Sequence, residues 1–196
     1  MKISAPAFAF LLALSPLAAA QAQQSGVDIA QAEEDQAFAL GAQAYVWGYP
    51  LAITGATAVV VTDTDKPLPN AHAPFNTFGH VAKIFTAADK DVVSSNADTV
   101  YSSAFVDLKQ GAALVSVPDT QGRYYSMMLE DAYTNVFGYV GFRATGDKAG
   151  RYLITGPGWK GQAPSDVRKV IEAPMIKPLN VSVWPLRRAI KIAGIM

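Results

Sequence analysis

Between Tyr101 and Ile154 the chain carries five runs rich in β-branched and aromatic residues: Tyr101 to Leu108, Ala113 to Val117, Arg123 to Leu129, Val136 to Phe142 and Gly150 to Ile154. They are broken by Lys109-Gln110-Gly111, Pro118-Asp119-Thr120-Gln121-Gly122, Ala132-Tyr133-Thr134-Asn135 and Thr145-Gly146-Asp147-Lys148. Runs of this length with period-two alternation and Gly, Pro and Asp breaks predict antiparallel strands. The expected fold is mainly β, an antiparallel sandwich or jelly-roll-like arrangement preceded by N-terminal helices, so α+β overall. Gly156-Pro157-Gly158-Trp159-Lys160-Gly161 reads as a tight turn system whose aromatic can cover an edge or a pocket.

Upstream the pattern is helical. Ala37, Phe38, Leu40, Gly41, Ala44, Tyr45, Trp47 and Gly48 recur at helical spacing after an acidic stretch, which places carboxylates where a helix dipole favours them. Pro50 restricts the residue before it, so this helix is expected to stop near Tyr49. Leu51 to Val61 is almost wholly apolar and reads as a second, buried helix, although its Val59-Val60-Val61 end also suits a strand. Thr62 to Asn76 is a proline-rich loop, and Val81 to Phe85 a short turn or helix.

The first residues address a compartment. Lys2 gives a small positive region, Ala7 to Leu14 an apolar one, and Ala20-Gln21-Ala22 a small-x-small cleavage site, so residues 1–22 are expected to be a signal peptide and the product periplasmic or secreted. Pro6, Ser15 and Pro16 interrupt a run too short to span a bilayer, which argues against a stable transmembrane anchor. Removal of 22 residues leaves 174 of the 196, enough for one domain, and the absence of cysteine means that the core alone must hold it. The expected division is a signal peptide at 1–22, a single β-rich domain with its helices at 23–172, and a divergent basic tail at 173–196.

That tail carries Lys177, Arg187, Arg188 and Lys191 with no acid, +4, whereas 23–172 hold 11 basic against 16 acidic residues, −5. An acidic body repels phosphate backbones, so nucleic acid is not an expected partner. Within the tail, Asn180 to Pro185 suits a strand and Leu186 to Ile195 a short basic amphipathic segment.

Several linked motifs occur in order: Tyr45-Val46-Trp47-Gly48-Tyr49-Pro50-Leu51, Asn76-x-Phe78-x-His80, Asn96-x-Asp98-Thr99-x-Tyr101-Ser102, Asp131-x-Tyr133-Thr134-Asn135-x-Phe137, and Gly141-x-Arg143 running through Tyr152-x-Ile154 to Gly156-Pro157-Gly158-Trp159-x-Gly161. In these the chain resembles the bacterial family called domain of unknown function 1254, over roughly Ala37 to Val170. The resemblance implies an exported or envelope β-rich protein, usually followed by a second β domain, domain of unknown function 1214. Ser95 stands where the family usually has proline, and the pattern ends near Pro174. A truncated or frame-shifted relative lacking its C-terminal β domain is therefore expected, with a natural short form as the alternative.

Two polar stretches carry the candidate chemistry. Asn96, Asp98, Thr99 and Tyr101 put an amide, a carboxylate, a hydroxyl and a phenol before the first strand, and Asp131, Tyr133 and Asn135 repeat that set between two later ones. Such groups at one rim orient a small molecule in an otherwise apolar site. The competing reading of the first is an Asx-turn setting the strand register, and of the second a polar hairpin connection. Arg143 is a candidate for a carboxylate or phosphate.

As ligand-binding candidates these are Asn96, Asp98, Tyr101, Asp131, Tyr133, Asn135 and Arg143. As catalytic candidates Asp98 or Asp131 would be the general base, with Tyr101 or Tyr133 as the polarising donor. His72 and His80 are the only histidines; His80 with Asp98 and Asp131 does not have diagnostic metal spacing, and no metal or cofactor is expected. No Gly-x-Ser-x-Gly occurs, which leaves Ser102 or Ser126 with His80 as the remaining nucleophile pairs. The functions in view are a module binding a small molecule or envelope component, a hydrolase-type enzyme, and an inactive truncated relative.

Overall fold

The structure is a computed structural model. It describes residues 15–90, 96–109, 111–176, 178–184 and 191–195. One helix, α1 (Ser15–Thr62), precedes nine strands: β1 (Gly79–Val81), β2 (Tyr101–Val106), β3 (Ala113–Val117), β4 (Ser126–Glu130), β5 (Val136–Gly141), β6 (Gly150–Thr155), β7 (Val167–Glu172), β8 (Leu179–Trp184) and β9 (Lys191–Ile195). A single turn of helix, α2 (Phe142–Thr145), follows β5. The fold is mixed α+β and mostly β. By compactness the chain divides into two units, with the boundary between Tyr49 and Pro50.

α1 corrects the expectation of two helices, because Pro50 lies inside it. A proline ring removes one backbone hydrogen bond, but Leu51 and Ala52 after it favour helix, and the helix continues through it. In the first unit the helix exposes Phe38, Tyr45, Val46 and Trp47. Its stretch Asp28–Thr62 is long and apolar enough to cross a membrane by length and composition, and the N-terminal apolar helix is compatible with a signal sequence. Residues 1–14, and with them most of the expected signal peptide, lie outside the described residues.

In the second unit the expected buried helix is exposed at Ile53, Val59 and Val60. The covered stripe is Thr54, Ala58 and Val61, one face at i, i+4 and i+7 spacing. Apolarity all round this segment hid which side would be covered.

The strands form two sheets. The first has the order β1-β2-β8-β4-β5 and the second β7-β6-β3-β9. All five runs read as strands are strands, and the segment read as a turn or helix after Gly79 begins instead with β1, paired to β2 through Val81 and Tyr101. β7 was not anticipated, and it pairs with β6 in parallel, against the all-antiparallel expectation. The connection between them contains the Gly156 to Gly161 turn, closed by Trp159 N donating to the Gly156 carbonyl at 3.3 Å. Trp159 packs on the buried Ala112, Leu114 and Leu153.

In the tail, the segment Asn180 to Pro185 read as a strand forms β8. β8 is the central strand of the first sheet, between β2 and β4, and β9 edges the second. Residues 185–190, including half of the expected amphipathic segment, lie outside the described residues, and its other half is β9.

One buried cluster draws on both sheets: Ala104, Val106, Met127, Leu129, Val140, Leu179 and Val181 from the first, Val115, Val117, Tyr152, Ile154 and Ile171 from the second. Strand phase then decides the opposite face of the first sheet, because side chains alternate. With Ala104 and Val106 in the core, Tyr101, Ser103 and Phe105 lie on the other side. Their register partners Ser182 and Asn180 on β8, and Met128 and Glu130 on β4, share it.

Candidate functional site

The first polar stretch is an Asx-turn. Asn96 Oδ1 accepts the backbone N–H groups of Asp98 at 3.0 Å and Thr99 at 3.1 Å, and its Nδ2 donates to Thr99 Oγ1 at 2.7 Å. The amide thus sets the direction from which β2 begins, and Asp98 is exposed. Tyr101, the first strand residue, packs its ring 6.1 Å from that of Phe85, centroid to centroid. Ser95 lies outside the described residues.

The second stretch closes the β4–β5 connection around a buried carboxylate. Asp131 Oδ1 accepts the N–H groups of Tyr133 and Asn135, both at 2.9 Å, and Oδ2 accepts Asn135 Nδ2 at 3.2 Å. Asp131 N donates to the Asn135 carbonyl, and Thr134 N to the Asp131 carbonyl, each at 3.0 Å. Thr134 is left-handed there, at φ 64°. Three donors from within the loop engage the carboxylate, which gives Asp131 an evident structural role.

Two cavities open on the polar face of the first sheet. One, of about 230 Å³, is bounded by Tyr101, Ser103, Ser182 and His72. The other, of about 140 Å³, is bounded by Glu130, Asp131, Thr134 and Thr54. Thr57, Phe105 and Asn180 line both, so the two are contiguous recesses beside the last turns of α1. Of the residues predicted from sequence, this arrangement brings Tyr101 and Asp131 to neighbouring recesses. Asn96, Asp98, Tyr133 and Asn135 line neither.

Asn180 is the junction, and sequence reading did not single it out. Its Oδ1 accepts the hydroxyls of Ser103 and Ser182, each at 3.2 Å. Its NH2 has no hydrogen-bond partner among the described residues and is the group left to donate. Glu130 was also missed. Burial raises its carboxyl above the ordinary value, and the neighbouring charge of Asp131 raises it further. The signal for Glu130, Ser103, Ser182 and Asn180 was their strand phase; that β8 would bring the last two beside the others gave none, because its flanking strands come from distant parts of the chain.

Arg143 lies elsewhere. It borders a cavity of about 320 Å³ with Tyr124, Ser126 and Tyr139. Its guanidinium sits 5.8 Å from the centre of the Tyr124 ring, which also packs against Phe142 at 6.2 Å. Gly141 makes this approach feasible, since a Cβ there would stand 2.5 Å from the Tyr125 carbonyl oxygen.

Among the nucleophile pairs, His80 and Ser102 are brought together, with Nδ1 2.7 Å from Oγ. Ser102 is buried, on the side of β2 facing away from the two recesses. Among the described residues no cluster of three His, Asp or Glu side chains can hold a metal ion.

A family model described as "Protein of unknown function (DUF1254)" matches residues 75–180. No curated protein matches the chain. Among solved structures, the VPA0106 protein from Vibrio parahaemolyticus is similar with a TM-score of 0.55 and 20% identity, over 71% of this chain and 30% of that one. An uncharacterized protein from Burkholderia cenocepacia gives a TM-score of 0.39 and 13% identity, over 60% of this chain and 33% of that one. The chain therefore spans about a third of the length of these two structures.

Proposed function

Because the chain belongs to the DUF1254 family, which is described only as of unknown function, we propose from its own geometry that it is an exported β-sandwich module that binds a small uncharged molecule rich in hydrogen-bonding groups. The observation that carries this reading is the Asn180 junction. One amide with its oxygen held by two serines presents a fixed donor at the meeting point of two recesses whose walls combine Phe105, Tyr101 and Ile53 with threonines, His72, Glu130 and Asp131. A few oriented polar groups on a largely apolar wall are what a small-molecule site needs. An envelope component offering hydroxyl or amide groups would meet the same wall, and the apolar N-terminal helix supports export.

The test is ligand-observed NMR on the full chain against a panel of neutral sugars, amides and esters. A binder should lose at least about tenfold in affinity with Asn180→Leu, because a ligand acceptor would then be left unpaired. Unchanged binding by a variant that melts like the wild type would rule the reading out.

The position of Glu130 favours a second reading, a hydrolase-type enzyme. A carboxyl raised by burial at a recess is suited to general acid or base work. In this reading Glu130 replaces Asp98 and Asp131 as the proton-transferring group, and Tyr101 is the phenol that lines a recess with Asn180. Hydrolysis of any ester or amide in the panel, abolished by Glu130→Gln, would select it.

A further inference from the structure

We propose a separate oxyanion site, for phosphate or a phosphate monoester, where β6 and β7 run in parallel. The register between these strands slips: Arg151 pairs with Val167 and Tyr152 with Lys169, so Arg168 is the extra residue of a bulge. Bulges re-aim side chains, and this one turns Arg168 back across the start of β6. There its Nη1 donates to the carbonyls of Lys148 at 3.1 Å and Ala149 at 3.4 Å. That anchorage fixes the guanidinium plane and leaves other N–H groups to donate. Gly150 is required beneath it: a Cβ would collide with the Arg168 side chain and stand 3.2 Å from the Tyr152 hydroxyl.

Arg168, Lys169, Tyr152 and Thr145 line a cavity of about 260 Å³. Tyr152 is 1% exposed, and its hydroxyl has no hydrogen-bond partner. An unpaired buried hydroxyl is costly, so its retention at a cavity wall points to a ligand that accepts from it. The neighbouring acids are already engaged. Asp147 accepts the Gly122 N–H and faces the Lys148 ammonium at 3.7 Å, and Asp166 pairs with Arg151. The lining residues carry a guanidinium, an ammonium, a phenol and a hydroxyl, a donor set complementary to a tetrahedral oxyanion.

The test is thermal unfolding of the full chain at constant ionic strength, with chloride exchanged for inorganic phosphate or for glycerol 1-phosphate. Either should raise the melting temperature by about 5 °C at saturating concentration. Arg168→Gln and the shape-preserving Tyr152→Phe should each weaken the response about tenfold. A response to phosphate alone identifies the free anion, and a stronger response to the ester identifies a monoester. Equal melting in chloride and both phosphates overturns the proposal. So does a Tyr152→Phe protein that melts above the wild type yet keeps the full phosphate response.

Discussion

The stretches at 96–101 and 130–135 are built from the same residue types, and the fold uses them differently. In the first a half-buried amide closes the turn and Asp98 is exposed; in the second a buried carboxylate does the closing. Burial makes the difference. Two backbone N–H groups and an amide converge on Asp131 in a loop where that residue is only 6% exposed, whereas Asn96 is half-buried and solvent can replace part of its bonding. The first stretch reaches the recesses through Tyr101 at the start of β2, and the second through Glu130 at the end of β4 together with Asp131 and Thr134.

The comparison is most easily broken at Asp131. Asp131→Ala leaves three donors without their acceptor and should cost about 2–4 kcal/mol of folding free energy, measured by urea unfolding. A loss below that of the Asn96 turn would mean that water replaces the carboxylate. Asn96→Ala is the matched change in the first stretch and should cost about 1 kcal/mol. A loss as large as that of Asp131→Ala would show the two turns to be equivalent.

Glu130→Gln sharpens the contrast through pH. The folded-state pKa of Glu130 lies above its unfolded value, so the folded protein holds the proton more tightly, and stability falls as pH rises from about the ordinary value of 4.5 through the raised one. Asp89, Asp119 and Asp166 act in the opposite sense. Their carboxyls are held low by a backbone donor at Thr86, a backbone donor at Gln121 and the Arg151 side chain respectively, so stability is lost as pH falls through their folded values. Glu130→Gln should therefore remove the upper-side decline and leave the acid limb in place. An unchanged profile in unfolding experiments from pH 4 to 7 would show that Glu130 is solvated like any surface acid.

The β-rich half of the fold was legible because period-two patterning and Gly, Pro and Asp breaks act locally. The five runs from Tyr101 to Ile154 became β2 to β6. Legibility failed where local preference was weak or misleading. Pro50 argued for a break, but α1 runs on through it into Leu51 and Ala52, and Val167–Glu172 alternates too poorly to announce an edge strand paired in parallel. The candidate site divided in the same way. The Asx-turn at Asn96 and the polar hairpin at Asp131 were among the readings of those residues, because a side chain bonding its own neighbours is a local event.

Sequence alone therefore determined the alternation that makes one face of each strand apolar, the turn chemistry between the strands, and the membership that its ordered motifs announce. Only the tertiary structure decided that β8 would enter between β2 and β4 and set Asn180 beside Ser103 and Glu130. The physical reason is that strand pairing joins residues far apart in the chain through backbone hydrogen bonds common to every residue. No local pattern names the partner, so the recesses and the donor set at the β6–β7 bulge arise only once the sheets close.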